Sequence, residues 1–367
     1  MIGRLHGYAS LIRAVRFSVG RPAFVTFLAA NLILFALPAP AEAQATASTT
    51  WYVTIVLPPK IVAGFPATLA VLGADGRLAP NVSVSIANGQ IVKTDATGRA
   101  FFNAPAAAGV IFAEASGASA VALVVSADSA AAQKNKTELA VAPVISLKDR
   151  FSICGGDFRG DADANHVTMN GDRALIVAAS PECLVVLPSP RATPGPAKLA
   201  VDLSGAQQSA TTTLVSLQFE APQPAPLPGQ KSHLTVHVEG SDTPLAITVQ
   251  NETPGVLEFL KGNTQELTTS GGARNIALVE FSAIRAGDFS FNAKLFPPPD
   301  IAAAESYLRA AVPLAPKALQ RRVKESADRL ASRPKDKEKV RQDLAKMIST
   351  TIAGNFRTLL EAARAAI

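Results

Sequence analysis

Residues 82–94 run VSVSIANGQIVKT: a short apolar/polar alternation, an Asn88-Gly89 pair, then a second short run. Alternation of period two puts one face of an extended segment in a core and the other in water. Asn-Gly closes two such segments into a hairpin, because both residues tolerate positive φ. The same grammar surrounds this stretch. WYVTIVL, ATLAVLG, RAFFN, GVIFAEA and SAVALVV follow one another between Gly, Pro and Asp-Gly turns, giving about seven strands across residues 50–127. Seven short strands at that spacing predict a β-sandwich. With 26 Pro and 24 Gly in 367 residues, most of the chain has no room for long helices.

The pattern repeats. Residues 128–142 are small and polar and read as a linker. Residues 143–220 bring a second set of strands, and APQPAPLPG at 221–229 reads as a stiff Pro-rich connector. Residues 230–298 then supply SHLTVHVEG, PLAITVQN, GVLEFLKG, ARNIALVEFSAI and GDFSFNAKLF, a third strand-rich block. The fold class expected is mostly β, with tandem Ig-like β-sandwich modules and a C-terminal α-helical region.

Two modules resemble known families. In residues 93–115, KTDATGRAFFNAPAAAGVIFAEA has a Thr-Asp-x-x-Gly turn, an aromatic strand and a later Gly, and it resembles bacterial Ig-like and carboxypeptidase-regulatory-like repeats. The second block resembles the IPT/TIG domain family. Ser152-Ile153-Cys154-Gly155-Gly156-Asp157-Phe158 stands for that family's strand, glycine turn and Phe. Val167-Thr168-Met169-Asn170-Gly171 and residues 180–188 stand for two later strands. Both resemblances imply sandwiches. Neither implies an activity, because such modules serve as stalks, spacers and adhesive units alike.

The first 43 residues read as a signal peptide to be removed on export. Arg4, Arg13, Arg16 and Arg21 precede the apolar run AFVTFLAANLILFAL, and Ala41 and Ala43 offer a small-residue cleavage site. Nothing later is apolar enough to span a membrane. The expected location is periplasmic, cell-surface or secreted. Cys154 and Cys183 are the only cysteines, and an even pair in an exported chain reads as a disulfide.

Charge is unevenly placed. From Ile301 onward there are fourteen Lys or Arg against seven Asp or Glu, a net of +7, whereas the whole chain carries +6. PPPD at 297–300 ends the strands and sets Asp300 to cap a helix. Leu319, Val323, Ala327 and Leu330 form one helical stripe. Val340, Leu344, Met347, Ile352, Phe356, Leu359 and Ala363 form another, with Pro334 between them. An α-hairpin is expected, buried on itself or on the last sandwich, with a basic face made of Arg321, Arg322, Lys324, Lys335, Lys337, Lys339 and Arg341. Such a face suits an envelope protein or an anionic surface polymer or lipid. With 6% aromatic residues in an exported chain, nucleic acid is not an expected partner.

Candidate chemistry is sparse. No G-x-S-x-G elbow, P-loop or H-E-x-x-H motif occurs. His233 and His237 are four apart, but along a strand that separation is roughly 13 Å, too far to share one ion. FRGDADANHVTMNGD at 158–172 remains. Asp161, Asp163 and Asn165 have the spacing of the first three ligands of an EF-hand loop, with Asp172 at the twelfth position. His166 stands where that loop's turn needs Gly, and strand residues follow it, so calcium is the one cofactor to test and loop solvation the alternative. Arg159-Gly160-Asp161 also forms an adhesion-like tripeptide. The expected role is a non-catalytic binding or spacer protein presenting loops at a distance. The alternatives are an envelope assembly component docking through its helices, or an accessory-domain enzyme acting on envelope or extracellular carbohydrate.

Overall fold

The computed structural model describes residues 53–367 except 88, 135–138, 204–205 and 261, together with a two-residue strand at Phe17–Ser18. The expected leader at 1–43 lies outside the described residues apart from that strand, which pairs with Asp288–Phe289.

The first sandwich stacks Thr54–Val56, Pro66–Leu72 and Arg99–Asn103 on a second sheet. That second sheet runs Lys60–Val62, Ala118–Val125, Gly109–Ala115, Ser83–Ile86, Ile91–Lys93. Ile61, Leu69, Ile86, Phe102 and Ile111 fill the space between the two. The Thr-Asp-x-x-Gly turn has a clear physical basis. The Asp95 carboxylate accepts from Thr97 N and Thr97 Oγ1, both at 2.7 Å, and from Arg99 N. Gly98 closes the turn at φ +72°, pressed against Leu78, where a side chain has neither the dihedral nor the space.

Pro66–Leu72 is buried on both faces. Ala67, Leu69 and Val71 enter the first core, as period-two alternation requires. Ala70 and Leu72, with Val56, instead meet Val177, Ala178 and Val185 of the second sandwich in a separate apolar seam. Thr68 pairs directly with Ala179, so one seven-stranded sheet crosses both modules.

The second sandwich packs Ala140–Val141, Phe151–Cys154, Cys183–Leu187 and Leu175–Ala179 against a sheet built on His166–Met169, Gly195–Leu203 and Ala206–Glu220. Ala206–Glu220 is one unbroken strand of fifteen residues. Its even positions Thr212 and Leu214 are buried in the second module, Leu214 in the core itself, while Val215 and Leu217 enter the third core. The boundary between modules is therefore a change of face within a strand. The Pro-rich stretch 221–229 is the loop joining that strand to Lys231–Glu239, its antiparallel neighbour in the third sandwich. Residues 128–142 likewise carry a helix, α1 (Ala127–Lys134), and the strand Ala140–Val141.

The third sandwich sets that sheet, with Ile276–Ala283 and Leu257–Phe259, on the three strands Thr264–Thr268, Ala246–Asn251 and Phe291–Leu295. Phe259, Phe281, Phe289 and Phe291 form its aromatic centre, with ring centroids 5.3–6.5 Å apart.

The C-terminal region holds four helices rather than a hairpin: α2 (Ile301–Ala311), α3 (Lys317–Ser332), α4 (Lys337–Ser349) and α5 (Asn355–Ala365). Asp300 caps α2, accepting from Ala303 N at 2.9 Å. The second expected stripe is broken after Ser349. Thr350 and Thr351 turn their hydroxyls back onto Met347 O, and Gly354 starts α5. Ile352, assigned to that stripe, is 89% exposed. The bundle does not cap the last sandwich alone. Leu308, Leu359 and Leu360 share a core with Leu123, Val110, Phe112 and Val121 of the first sandwich. The three modules and the helices therefore close a circuit.

Candidate functional site

The acidic segment that stands out in the sequence forms the joint between the first two sandwiches. Asp161 N-caps a short 3-10 turn (Ala162–Ala164), accepting from Asp163 N at 3.0 Å. Asn165 is 3% exposed, and its amide is fully used inside the loop. Oδ1 accepts from Arg159 N, and Nδ2 donates to Arg159 O and Asp161 O. The Asp163 carboxylate accepts from Arg99 Nη1 at 2.5 Å, across the module boundary. Thr68 Oγ1 donates to Gly160 O at 2.6 Å and accepts from Ala162 N. Gly160 lies flat on the Pro66 carbonyl, and a Cβ there would overlap it.

Asp161, Asp163 and Asn165 share one loop, but their oxygens are turned to protein donors rather than to a common point. Asp172 lies beyond the Asn170-Gly171 turn, opposite Met169. The EF-hand-like set is thus not assembled as spaced, and among the described residues no group of three or more His, Cys, Asp or Glu is placed to hold a metal ion. The Arg-Gly-Asp triplet has its Gly buried in the joint instead of at a loop tip. On the outer side of the loop a cleft of about 210 Å³ is lined by Asp157, Arg159, Ala164, Asn165, His166, Asp202 and Leu203. That is smaller than the ~300–1,000 Å³ of ordinary small-molecule sites.

Cys154 and Cys183 are bonded. They face one another on adjacent antiparallel strands with Cα atoms 4.2 Å apart. Their strands hold the base of the joint loop, where Gly155 N donates to Glu182 O and Phe158 N to Pro181 O. Ser180 Oγ, at the same corner, donates to Lys60 O of the first sandwich at 2.6 Å. His233 and His237 lie on the outer face of the third sandwich. His233 sits across the ladder from Glu280, and His237 Nε2 is 2.6 Å from Glu220.

The basic face is divided. Arg321, Arg322, Lys324, Lys335, Lys337 and Lys339 are exposed. Arg341 is not part of that surface. Its guanidinium lies 4.1 Å from the Phe296 ring centre and 2.9 Å from Glu266, which also receives Arg364 at 2.5 Å. Arg341 and Arg364 thus latch α4 and α5 to the third sandwich. At the other end Lys60 reaches Asp300 at 3.0 Å, tying α2 to the first sandwich. Burial alone would raise the Asp300 carboxyl, but the Ala303 N–H and the Lys60 ammonium together hold it below the ordinary range. Burial, aided by the Asp300 charge, pushes the Tyr307 phenol up to about 12. Glu266, Arg364, Lys60, Thr68 and Arg99 were invisible as functional positions in the sequence, because each matters only through a partner 64 or more residues away.

No family model and no curated protein matches the chain. Among solved structures it is similar to the plexin A4 extracellular region, at 13% identity over 69% of this chain and 24% of that one, with a TM-score of 0.26. A second is the Bacteroides ovatus mixed-linkage glucan utilization locus protein SGBP-B in complex with a mixed-linkage heptasaccharide: 11% identity, 64% and 73% coverage, TM-score 0.23. A third is the N-terminal four Ig domains of Dscam1 isoform 7.44: 8% identity, 67% and 72% coverage, TM-score 0.20. The chain spans about a quarter of the plexin region. At such TM-scores the Ig-like description rests on the sheet order and core clusters above. Among the described residues no helix is long and apolar enough to cross a membrane.

Proposed function

We propose that this chain is an exported, non-catalytic binding protein, with three Ig-like sandwiches and a helical cap forming one rigid block that presents outer surfaces to an envelope or extracellular partner. The observation that carries the reading is the use made of the polar cluster at 158–165. Its carboxylates, amide and glycine hold two modules together, which is scaffold chemistry. The cross-strand disulfide supports an oxidising compartment. The sequence resemblance to bacterial Ig-like and IPT/TIG modules supports an envelope setting.

The assembly-component reading shares this block and differs in which surface is engaged. It is favoured by the exposed cations of α3 and of the turn into α4.

Expression in a bacterial host with fractionation and N-terminal mass analysis tests the export reading. A chain beginning at Gln44 or Thr46, recovered outside the cytoplasm and resistant to thiol labelling until reduced, is the expected result. An intact N-terminus in the cytosol with two reactive thiols would overturn it.

A further inference from the structure

The unassigned feature that goes furthest is one end of the helical bundle. α2 and α5 run antiparallel, since Asp300 N donates to Ala366 O, so the end of α2 and the start of α5 lie together. α3 and α4 are joined through the short turn at Pro334–Asp336, across which Arg329 reaches Asp343 at 3.5 Å. The connection from α2 to α3 and the connection from α4 to α5 therefore emerge at the same end. Each carries a large aliphatic side chain in water: Leu314 is 48% exposed and Ile352 is 89% exposed.

Along these two connections the charge is of one sign, while on the adjoining first sandwich the exposed Glu114 lies cross-strand from Ser119, which meets Thr358 near the start of α5. Residues 312–324 contain Lys317, Arg321, Arg322 and Lys324 and no acid; residues 345–360 contain Lys346 and Arg357 and no acid. Glu325 and Glu361, which follow these stretches, are paired to Arg321 and Arg357. Lys317, Arg322, Lys324 and Lys346 are exposed and form no ion pair among the described residues. The opposite end differs, because Lys335, Lys337 and Lys339 alternate with Asp336 and Glu338.

We infer that this end of the bundle docks on an anionic lipid surface, with Leu314 and Ile352 entering the headgroup boundary and Lys317, Arg322, Lys324 and Lys346 meeting lipid phosphates. Apolar tips beside four unpaired cations fit a charged, deformable interface. A protein groove suits an apolar face along a helix, and here the helix faces are buried in the bundle core. Basic residues near an anionic surface add attraction that falls off within a Debye length, so the binding weakens with salt. This inference rests on the exported-binding-protein reading and names the surface and partner for it.

Sedimentation of the exported form with vesicles tests it, comparing phosphatidylglycerol/phosphatidylethanolamine with pure phosphatidylcholine. Binding to the anionic vesicles only is expected. Ile352→Ser should weaken it about tenfold, and joint Lys317→Gln, Arg322→Gln, Lys324→Gln and Lys346→Gln on the order of a hundredfold, with unchanged melting temperatures. Joint Arg333→Gln, Lys335→Gln, Lys337→Gln and Lys339→Gln removes the same charge at the other end and should change binding less than twofold. Equal losses from both charge sets would mean that net charge alone attracts the lipid, which overturns the assigned surface. Equal binding to phosphatidylcholine, or capture of an acidic protein with no vesicle binding, also overturns it. Neither result touches the export reading, which is decided by the processed N-terminus and the thiols.

Discussion

The first sandwich is held on two faces by joints of different kinds. Toward the second sandwich the contact is a shared sheet, a six-residue apolar seam and a loop laid backbone to backbone on Pro66. Toward the helices it is side-chain packing around Leu308, Leu359 and Leu123, with the Lys60–Asp300 ion pair at the rim. A backbone joint has no slack, because strand spacing and hydrogen-bond length fix it to a fraction of an ångström. A packed helical joint can repack, and its ionic rim contributes little. The difference teaches where the block is fragile.

The sharpest test of that contrast is Gly160→Ala. A methyl group cannot be placed without separating the loop from Pro66, which also breaks both Thr68 hydrogen bonds. A loss of about 3 kcal/mol or more is expected in denaturant unfolding, with increased proteolysis at the joint. A melting curve within a degree of wild type would show that the joint has slack after all.

Removing the disulfide acts on the same joint from its base. Cys154→Ala with Cys183→Ala opens a loop with a sequence separation of 29. The chain-entropy model gives a loss of about 3–4 kcal/mol. Reducing the wild-type protein should lower its melting temperature to the level of the double variant, and reducing the variant should do nothing.

Where the same helices meet the third sandwich, Glu266→Gln removes the one carboxylate that both Arg341 and Arg364 approach. The side chains are partly exposed, so solvent screening limits the expected cost to about 1 kcal/mol. Amide exchange should show the effect in Thr264–Thr268 and α4 while the first sandwich stays protected. A loss as large as that of Gly160→Ala would show that an ionic latch can hold as firmly as a backbone joint.

These joints also mark what was legible in the sequence. Alternation and turn residues announced the sandwiches, because a strand writes its burial in period two. The Asp300 cap and the α3 stripe were equally local and equally readable. The acidic segment looked like a metal loop because ligand spacing is local, whereas its partners Thr68 and Arg99 are 64 to 94 residues away. The fifteen-residue strand crossing two modules was hidden for a related reason. Its inward face switches at Leu214–Val215, and the Pro-rich run after it looked like the natural break. Ile352 kept helical spacing but lost its helix to two threonines and a glycine.

The smallest effect separates the joints by pH. Asp300 binds its proton less readily in the folded chain than its ordinary value of 3.8 implies. Its contribution is therefore present above that value and is lost as pH falls through the lower folded pKa. Asp149, where the second sandwich meets the third, goes the other way. Burial raises its carboxyl despite Lys294, its bond to Ser146 and the neighbouring Arg150 and Lys148. Its contribution is present below 3.8 and is lost as pH rises through the higher folded pKa. Acidification should thus first tighten the contact of Val144–Ser146 with residues 213–215, and only below the ordinary carboxylate range loosen the start of α2. Hydrogen exchange corrected for intrinsic rates reads both segments in one experiment. Asp149→Asn should abolish the first response and leave the second, and Asp300→Asn the reverse. Parallel movement of both segments would mean that neither carboxyl governs its joint.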